Sequence, residues 1–401
     1  MLEIKPILRS LMRSKAGAAM LIFQIIITTA IVSNAAFIIN DRMNYLSQET
    51  GYPEDEIFSF SVMTVGEVDN LSTLLEGTEQ LIRDIPGVIN ANLINNVPVS
   101  GGGSASGFGS QPASERGPDT RAAYFTADEN IFETLGVTIS EGRNFRSDEV
   151  IVGSTMNDVP QVVIVSKGFA DTHFPEGNGL GQTIYFGNAP MQIIGIVDKM
   201  KGPWLKDSAV DSVVVMPNAR ASMRQKFIVR TEADQRDIIM RDIESVLLEE
   251  SNKRVVTYMR SMDAAKANYN ASDILMVRMM TVIICVIVLV TALGIFGMTV
   301  FNISKRTKQI GTRRALGARK SAILRYFLVE NTIICIVSAA ASYASSLFLG
   351  EYMMSEFSLP ALDNSYIVVT IVCVFAISLL SVLFPALKAA NIAPSIATRS
   401  I

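Results

Sequence analysis

Histidine is almost missing from this sequence: His173 stands alone among 401 residues. That scarcity excludes an HExxH zinc site and most histidine-based metal clusters. A serine–histidine–aspartate triad would have to assemble around His173, which lies in Ala170-Asp-Thr-His-Phe-Pro175. Asp171 cannot readily orient the ring there within a short helical turn, and the chain holds no GxSxG elbow. No Gly-Lys-Ser/Thr phosphate-loop ending occurs either, so no nucleotide site is read in the sequence. The three cysteines, Cys285, Cys335 and Cys373, each sit inside an apolar run. They are expected to be small packing residues, and no disulfide supports the rest of the chain. Catalytic, cofactor-binding and metal roles are therefore assigned to no residue.

Charge is missing from four long runs: residues 17–40, 279–304, 331–350 and 364–387 contain no Asp, Glu, Lys or Arg. The first is 24 residues, about 36 Å as a helix, enough for a hydrocarbon core of about 30 Å. It is longer than the apolar region of a cleaved signal peptide, so an uncleaved anchor is expected. Gln24, Thr28, Thr29, Ser33 and Asn34 within it suggest one face packed on protein. Uncharged span cores give no sign of a proton-driven carrier, and Arg278 and Glu330, at span ends, read as snorkelling side chains.

The charge that is present is partitioned. Residues 41–273 carry 33 Asp/Glu against 20 Lys/Arg, whereas the remainder carries 5 against 15. The basic segments are the N-terminus, the 305–325 loop and the tail, and their bias places them in the cytoplasm with the acidic block outside. The expected organisation is a basic amphipathic helix at 1–16, a first span at 17–40 and an outer domain at 41–273. Spans at 274–304, 326–350 and 364–387 follow, separated by the 305–325 loop and a 351–363 link and closed by a 388–401 tail. Pro385 is expected to interrupt the last span. Ser338, Ser342 and Ser346 repeat every four residues in the third span, a small-residue face suited to close helix packing.

The outer block reads as α+β. A strand at 57–65, a helix at 68–85 and a strand at 88–97 are matched much later by a strand at 226–231, a helix at 234–250 and a strand at 254–260. Two separated βαβ units predict a split, ferredoxin-like layer built from 41–99 and 206–265, with a β-rich subdomain inserted at 100–205. The Gly/Ser tract Ser100–Ser110 reads as a mobile loop. The fold class is thus an α-helical membrane protein with four transmembrane helices (1 + 3) and a large extracytoplasmic α+β domain.

The 305–325 loop, KRTKQIGTRRALGARKSAILR, has eight basic residues and no acidic one. Thr307 is a candidate helix cap, Leu316 the last helical residue and Gly317 the stop. Ile310 and Leu316 would supply apolar contacts, and Arg313 and Arg314 would reach acidic groups on a partner. The residues Arg306, Ile310-Gly311, Arg313-Arg314-Ala315-Leu316-Gly317-Ala318 and Phe327-Leu328-Val329-Glu330 resemble the signature of FtsX/MacB-type permeases, the membrane subunits of type VII ABC transporters. Gln309 departs from the family's usual Glu. Tyr124–Val137, Glu141–Phe145 and Phe384–Pro394 extend the resemblance over nearly the whole chain.

The resemblance implies a permease subunit without catalysis of its own, dimerising with a second permease chain, identical or paralogous. ATP and Mg would be bound by a partner ABC ATPase docked on Arg306, Lys308, Gln309, Ile310, Gly311, Arg313, Arg314, Ala315, Leu316 and Gly317. It further implies mechanotransmission: closure of the ATPase moves the outer domain. MacB hands substrates to a periplasmic adaptor and an outer-membrane channel, so these join membrane lipid as expected partners, and nucleic acid does not. The expected site is the bacterial inner membrane, multi-pass, with both termini cytoplasmic and the large domain periplasmic. Two other family roles stay open, lipoprotein release and control of a cell-wall hydrolase. Outside the family stand a membrane-anchored sensor or binding protein lacking an ATPase and an outer-face hydrolase using His173.

Overall fold

In the computed structural model the described residues are 15–392, apart from 67, 69, 116–119, 153–158, 220, 251–252 and 358–360. The expected basic helix at 1–16 and most of the tail thus lie outside the described residues. The chain divides into two compact units, Met1–Asn44 with Asp273–Ile401, and Tyr45–Ser272. Helix α1, Lys15–Leu46, opens the first of them. It runs past the expected end at 40, and on this extension Arg42 lies 3.8 Å from the Asp273 carboxylate.

The outer unit begins with strand β1 (Ile57–Thr64), helix α2 (Leu71–Arg83) and strand β2 (Val88–Ile94). Asn70 caps α2 by accepting the Thr73 N–H at 3.2 Å, and Pro86-Gly87 prevents its continuation. The inserted elements follow: β3 (Ala105–Gly109), β4 (Thr120–Ala127), α3 (Ile131–Leu135), β5 (Ile139–Gly142), β6 (Ile151–Val152), β7 (Val162–Ser166), α4 (Lys167–His173), β8 (Thr183–Phe186), β9 (Ala189–Val197) and β10 (Val213–Ala219). The layer then resumes with β11 (Arg224–Thr231), α5 (Arg236–Glu250) and β12 (Arg254–Ser261), and α6 (Met262–Tyr269) ends the unit.

The layer is a sheet in the order β12-β1-β11-β2 with antiparallel neighbours. Each βαβ crossover therefore skips one strand, and the other half supplies the strand that fills the gap. Alternation sends Phe58, Phe60 and Val62 of β1 to the face where α2 and α5 lie. There they meet Phe227 and Val229 of β11, Leu75 and Ile82 of α2, and Ile239, Ile243 and Leu247 of α5. Phe60 and Phe227 stack with centroids 5.5 Å apart. Each such side chain contributes about 1.5–3 kcal/mol when fully buried.

In the inserted subdomain the strand path β4-β3-β8-β9-β7-β10 closes on itself, because β10 also pairs with β4. Two expectations are corrected here. The Gly/Ser tract is not wholly a loop: Ala105–Gly109 is a strand paired with β4 and β8, anchored by the fully buried Phe108. Small neighbours lower β propensity, but one aromatic side chain in the core outweighs them. The insertion also extends beyond 205, since β10 completes the ring and belongs to it rather than to the split layer.

The membrane unit resumes with α7 (Ala271–Lys305), α8 (Thr307–Ala315), α9 (Lys320–Phe357) and α10 (Asn364–Ala390). With α1, three of these make four helices long and apolar enough to cross a membrane. Polar side chains of α1 face the bundle: Thr28 Oγ1 lies 2.7 Å from Thr291 Oγ1, and the Gln24 amide donates to the Val290 carbonyl at 3.2 Å. Gly294 permits that approach, because a Cβ there would stand 2.6 Å from the Gln24 Oε1.

Three further expectations change. The 351–363 link is shorter than expected, since α9 carries Glu351 and Glu356 on its last turns. Pro385 does not interrupt α10, which continues to Ala390. The lost hydrogen bond is outweighed by the packing of Ala386, Ala389 and Ala390 against Ile310, Ile323 and Phe327. Of the cysteines only Cys335 packs inside; Cys285 and Cys373 are exposed on the outer faces of α7 and α10.

Candidate functional site

Helix α8 follows α7 after a single non-helical residue, Arg306 (φ −106°, ψ 9°). Thr307 does not cap it. Its hydroxyl donates backwards to the carbonyls of Ile303 and Ser304, both at 3.0 Å, and so finishes α7. At the other end the helix closes one residue earlier than expected, with Leu316 as C-cap. The Gly317 N–H then bonds the Arg314 carbonyl at 3.1 Å, and the Ala318 N–H bonds the Arg313 carbonyl at 3.0 Å. This Schellman closure needs a left-handed residue, and Gly317 supplies φ +94° without a Cβ penalty.

The two sides of α8 differ in kind. Ile310 and Gly311 are buried on the bundle side, where Ile310 joins Ile323, Phe327, Val382 and Ala386. Lys308, Gln309, Thr312, Arg313, Ala315, Leu316 and Gly317 are exposed. Leu316, expected to make apolar contacts beside Ile310, is instead 84% exposed and touches nothing of this core. Arg313 lies over the Tyr326 ring, 5.4 Å from its centroid. Arg314 turns back, donating from Nη1 to the Ala318 carbonyl at 3.0 Å, so it braces its own loop.

Arg306 and Glu330 form the joint beneath this helix. The Arg306 Nη1 donates to Glu330 Oε1 at 3.2 Å and Oε2 at 3.1 Å, and to the Tyr326 hydroxyl at 3.2 Å. Glu330 is only 5% exposed, so it does not snorkel; it is an internal partner. Neither Glu330 nor Tyr326 was among the expected site residues. The signal for the first was present, since Glu330 closes the same motif that Arg306 opens.

Ser338, Ser342 and Ser346 on α9 are all fully buried. Ser346 receives a hydrogen bond from the Ser33 hydroxyl at 3.1 Å, and its carbonyl receives one from the Asn34 amide at 3.1 Å, both from α1. Ser338 bonds its own helix at Ile334. Asn331, two turns before the stripe, donates to Ser378 of α10 at 2.8 Å. These bonds fix α9 against α1 and α10.

His173 stacks on Phe169 with centroids 4.0 Å apart, and its Nδ1 lies 3.0 Å from the Phe169 carbonyl. The ring is part of the packing of α4. Among the described residues no group of three or more His, Cys, Asp or Glu is placed to hold a metal ion.

Comparison with known proteins gives matches over both units. The model of the MacB-like periplasmic core domain matches residues 16–247, and that of the FtsX-like permease C-terminal region matches residues 281–394. Among curated proteins, a macrolide export ATP-binding/permease protein MacB 2 of Yersinia pestis bv. Antiqua is 26% identical over 275 residues, covering 66% of this chain and 40% of that protein. The MacB of Mannheimia succiniciproducens is 25% identical over 279 residues, with 66% and 41% covered. The chain thus spans about two-fifths of the length of these relatives. Among solved structures, the periplasmic region of MacB from Actinobacillus actinomycetemcomitans aligns with 56% of this chain and 97% of that one, at 15% identity and a TM-score of 0.34.

Proposed function

We propose, from the premise that this chain belongs to the MacB/FtsX-type permease family, that it is the membrane subunit of an ATP-driven MacB-like export complex. In this reading α8 is the surface on which a separate ABC ATPase, carrying ATP and Mg, docks. The observation that carries it is the division of α8 into a face sunk in the bundle at Ile310 and Gly311 and a face presenting Lys308, Arg313 and Leu316. Such a helix can bind a partner and pass on its displacement, because it cannot move without moving what it is packed on.

The route follows the covalent chain and the joint. A push on α8 acts on α7 through the one-residue junction at Arg306 and on α9 through the Arg306–Glu330 pair. Helix α7 leads back along the chain to the outer unit. Basic residues at 305–325 support a cytoplasmic position for α8, and in this reading the acidic unit is periplasmic and both termini lie inside. A second permease chain would complete the complex. Export is extended to this chain from relatives named for macrolide export, with an adaptor and outer channel as further candidate partners.

Co-expression with the candidate ATPase, followed by purification on a tag carried by this chain, tests the docking role. Lys308→Glu with Arg313→Glu is expected to abolish co-purification and macrolide resistance while leaving the chain folded in detergent. Undiminished ATPase recovery with the double variant would overturn the assignment.

A further inference from the structure

The outer unit holds a cleft of about 1040 Å³ between the split sheet and the closed strand ring. It is large enough for a drug-sized ligand, whose pockets span about 300–1,000 Å³. The sheet contributes Ser61, Ile94, Arg224 and Lys226; the ring contributes Tyr124, Phe186 and Met216. Register explains the sheet side. Ser61 and Ile94 flank Lys226 on the neighbouring strands, and Arg224 lies two residues away on the same face.

The charge of this lining runs against that of its surroundings. The block containing it has 33 acidic and 20 basic residues, yet the eighteen described lining residues include no carboxylate and two cations. Neither cation is neutralised by a described carboxylate. The Lys226 ammonium donates to the Asn95 backbone carbonyl at 3.1 Å, and the Arg224 guanidinium rests on the Tyr258 ring, 4.8 Å from its centroid. Burial, and then the nearby Arg224, hold the Lys226 titration below that of an ordinary lysine. An anion brought between the two would relieve both effects. Opposite them, the Tyr124 and Phe186 rings pack edge to face, with centroids 6.3 Å apart, and offer an aromatic wall.

We infer that this cleft binds an organic anion with an aromatic or aliphatic body, its acid group held by Arg224 and Lys226 and its body against Tyr124, Phe186 and Met216. The inference goes beyond the export reading and does not depend on it, because binding here requires no ATPase. Arg224 and Lys226 fix the sign of the ligand, and the wall fixes its apolar character.

The full chain, purified in a neutral maltoside detergent, tests this by fluorescence anisotropy with two probes that share one aromatic body. Dansyl-glutamate carries two carboxylates; dansyl-cadaverine carries an amine. Saturable binding of the first and none of the second is expected, weakening as salt is raised. Arg224→Gln with Lys226→Met is expected to weaken dansyl-glutamate binding about ten-fold or more. Ser222→Asp, which sets a carboxylate at an exposed lining position, is expected to do the same without touching the core. Superimposable melting curves from Trp204 fluorescence exclude unfolding as the cause. Equal retention of the two probes, no binding of dansyl-glutamate, or unchanged binding in Ser222→Asp would each overturn the inference.

Discussion

Glu79 offers a test in which the sign is as informative as the size. It lies on α2, 4% exposed, and its Oε1 accepts the Leu93 N–H at 2.6 Å. Arg83 stands 3.4 Å away but is shared with Asp128, 3.3 Å from the same nitrogen. Burial, and then the Asp128 charge, push the Glu79 carboxyl up from 4.5 to about 8, with Arg83 and the Leu93 N–H opposing and Glu129 adding a smaller push. The folded state therefore binds this proton more tightly than the unfolded one. Stability is fully present below the unfolded value near 4.5 and is lost as pH rises towards the folded value near 8. At about 1.4 kcal/mol per pH unit over this window, the loss between pH 5 and pH 8 is about 3–4 kcal/mol.

Glu79→Gln removes the titration and keeps an oxygen for the Leu93 N–H. The variant is expected to match the parent near pH 5 and to exceed it at pH 8 by roughly 10 °C in Tm, taking about 2–4 °C per kcal/mol for a unit of this size. Trp204 makes the measurement specific: it is the chain's one tryptophan, lies in the outer unit and packs beside that unit's core. Melts of the whole chain in detergent, followed by its fluorescence, report the outer unit alone. Parallel Tm–pH curves for parent and variant between pH 5 and pH 8 would refute the reasoning.

Arg306→Ala leaves Glu330 buried without its cation and is expected to cost on the order of 3–5 kcal/mol, read as loss of thermostability in detergent. Arg306→Met with Glu330→Leu should recover most of that stability, yet lose the coupling of ATP hydrolysis to export if the pair is the joint proposed above. Ser346→Ala removes one hydroxyl pair and is expected to be mild, whereas Ser346→Leu must push α9 from α1 at about 1–3 kcal/mol. The check is the fraction of each variant that remains monodisperse after heating. Gly317→Ala meets open space but keeps φ +94°, so backbone strain of about 1 kcal/mol is its main effect. Faster amide exchange at Gly317 and Ala318 would show the loosened cap.

The layer of the outer unit was legible because its halves announce themselves by period. Phe58, Phe60 and Val62 alternate, while Ile239, Ile243 and Leu247 recur at helical spacing, and both patterns are set by one buried face. The closed ring was less legible. Its strands are short, and Ala105–Gly109 is written almost entirely in glycine, serine and alanine, so its pairing depends on Phe108 reaching a core assembled from distant strands. The span ends were placed too far inward for a related reason. Hydropathy marks where charge begins, but a helix ends only where its backbone bonds find other partners, so α9 carries Glu351 and Glu356 onward to Phe357.

At α8 the sequence does not disclose how the residues divide their contacts. Ten positions from Arg306 to Gly317 were expected to form one docking surface, and the fold separates them. Ile310 and Gly311 anchor, Arg306 joins α9, Arg314 and Gly317 close the end, and Lys308, Gln309, Arg313 and Leu316 face outward. Helical spacing alone does not assign these parts, because each depends on a residue elsewhere: Phe327 and Val382 for Ile310, Glu330 for Arg306. A helix with only an exposed basic face would be a charge patch that a partner could pull on without consequence. The buried anchor and the ion pair tie α8 to α9 and α10, the connection that the proposed transmission of force requires.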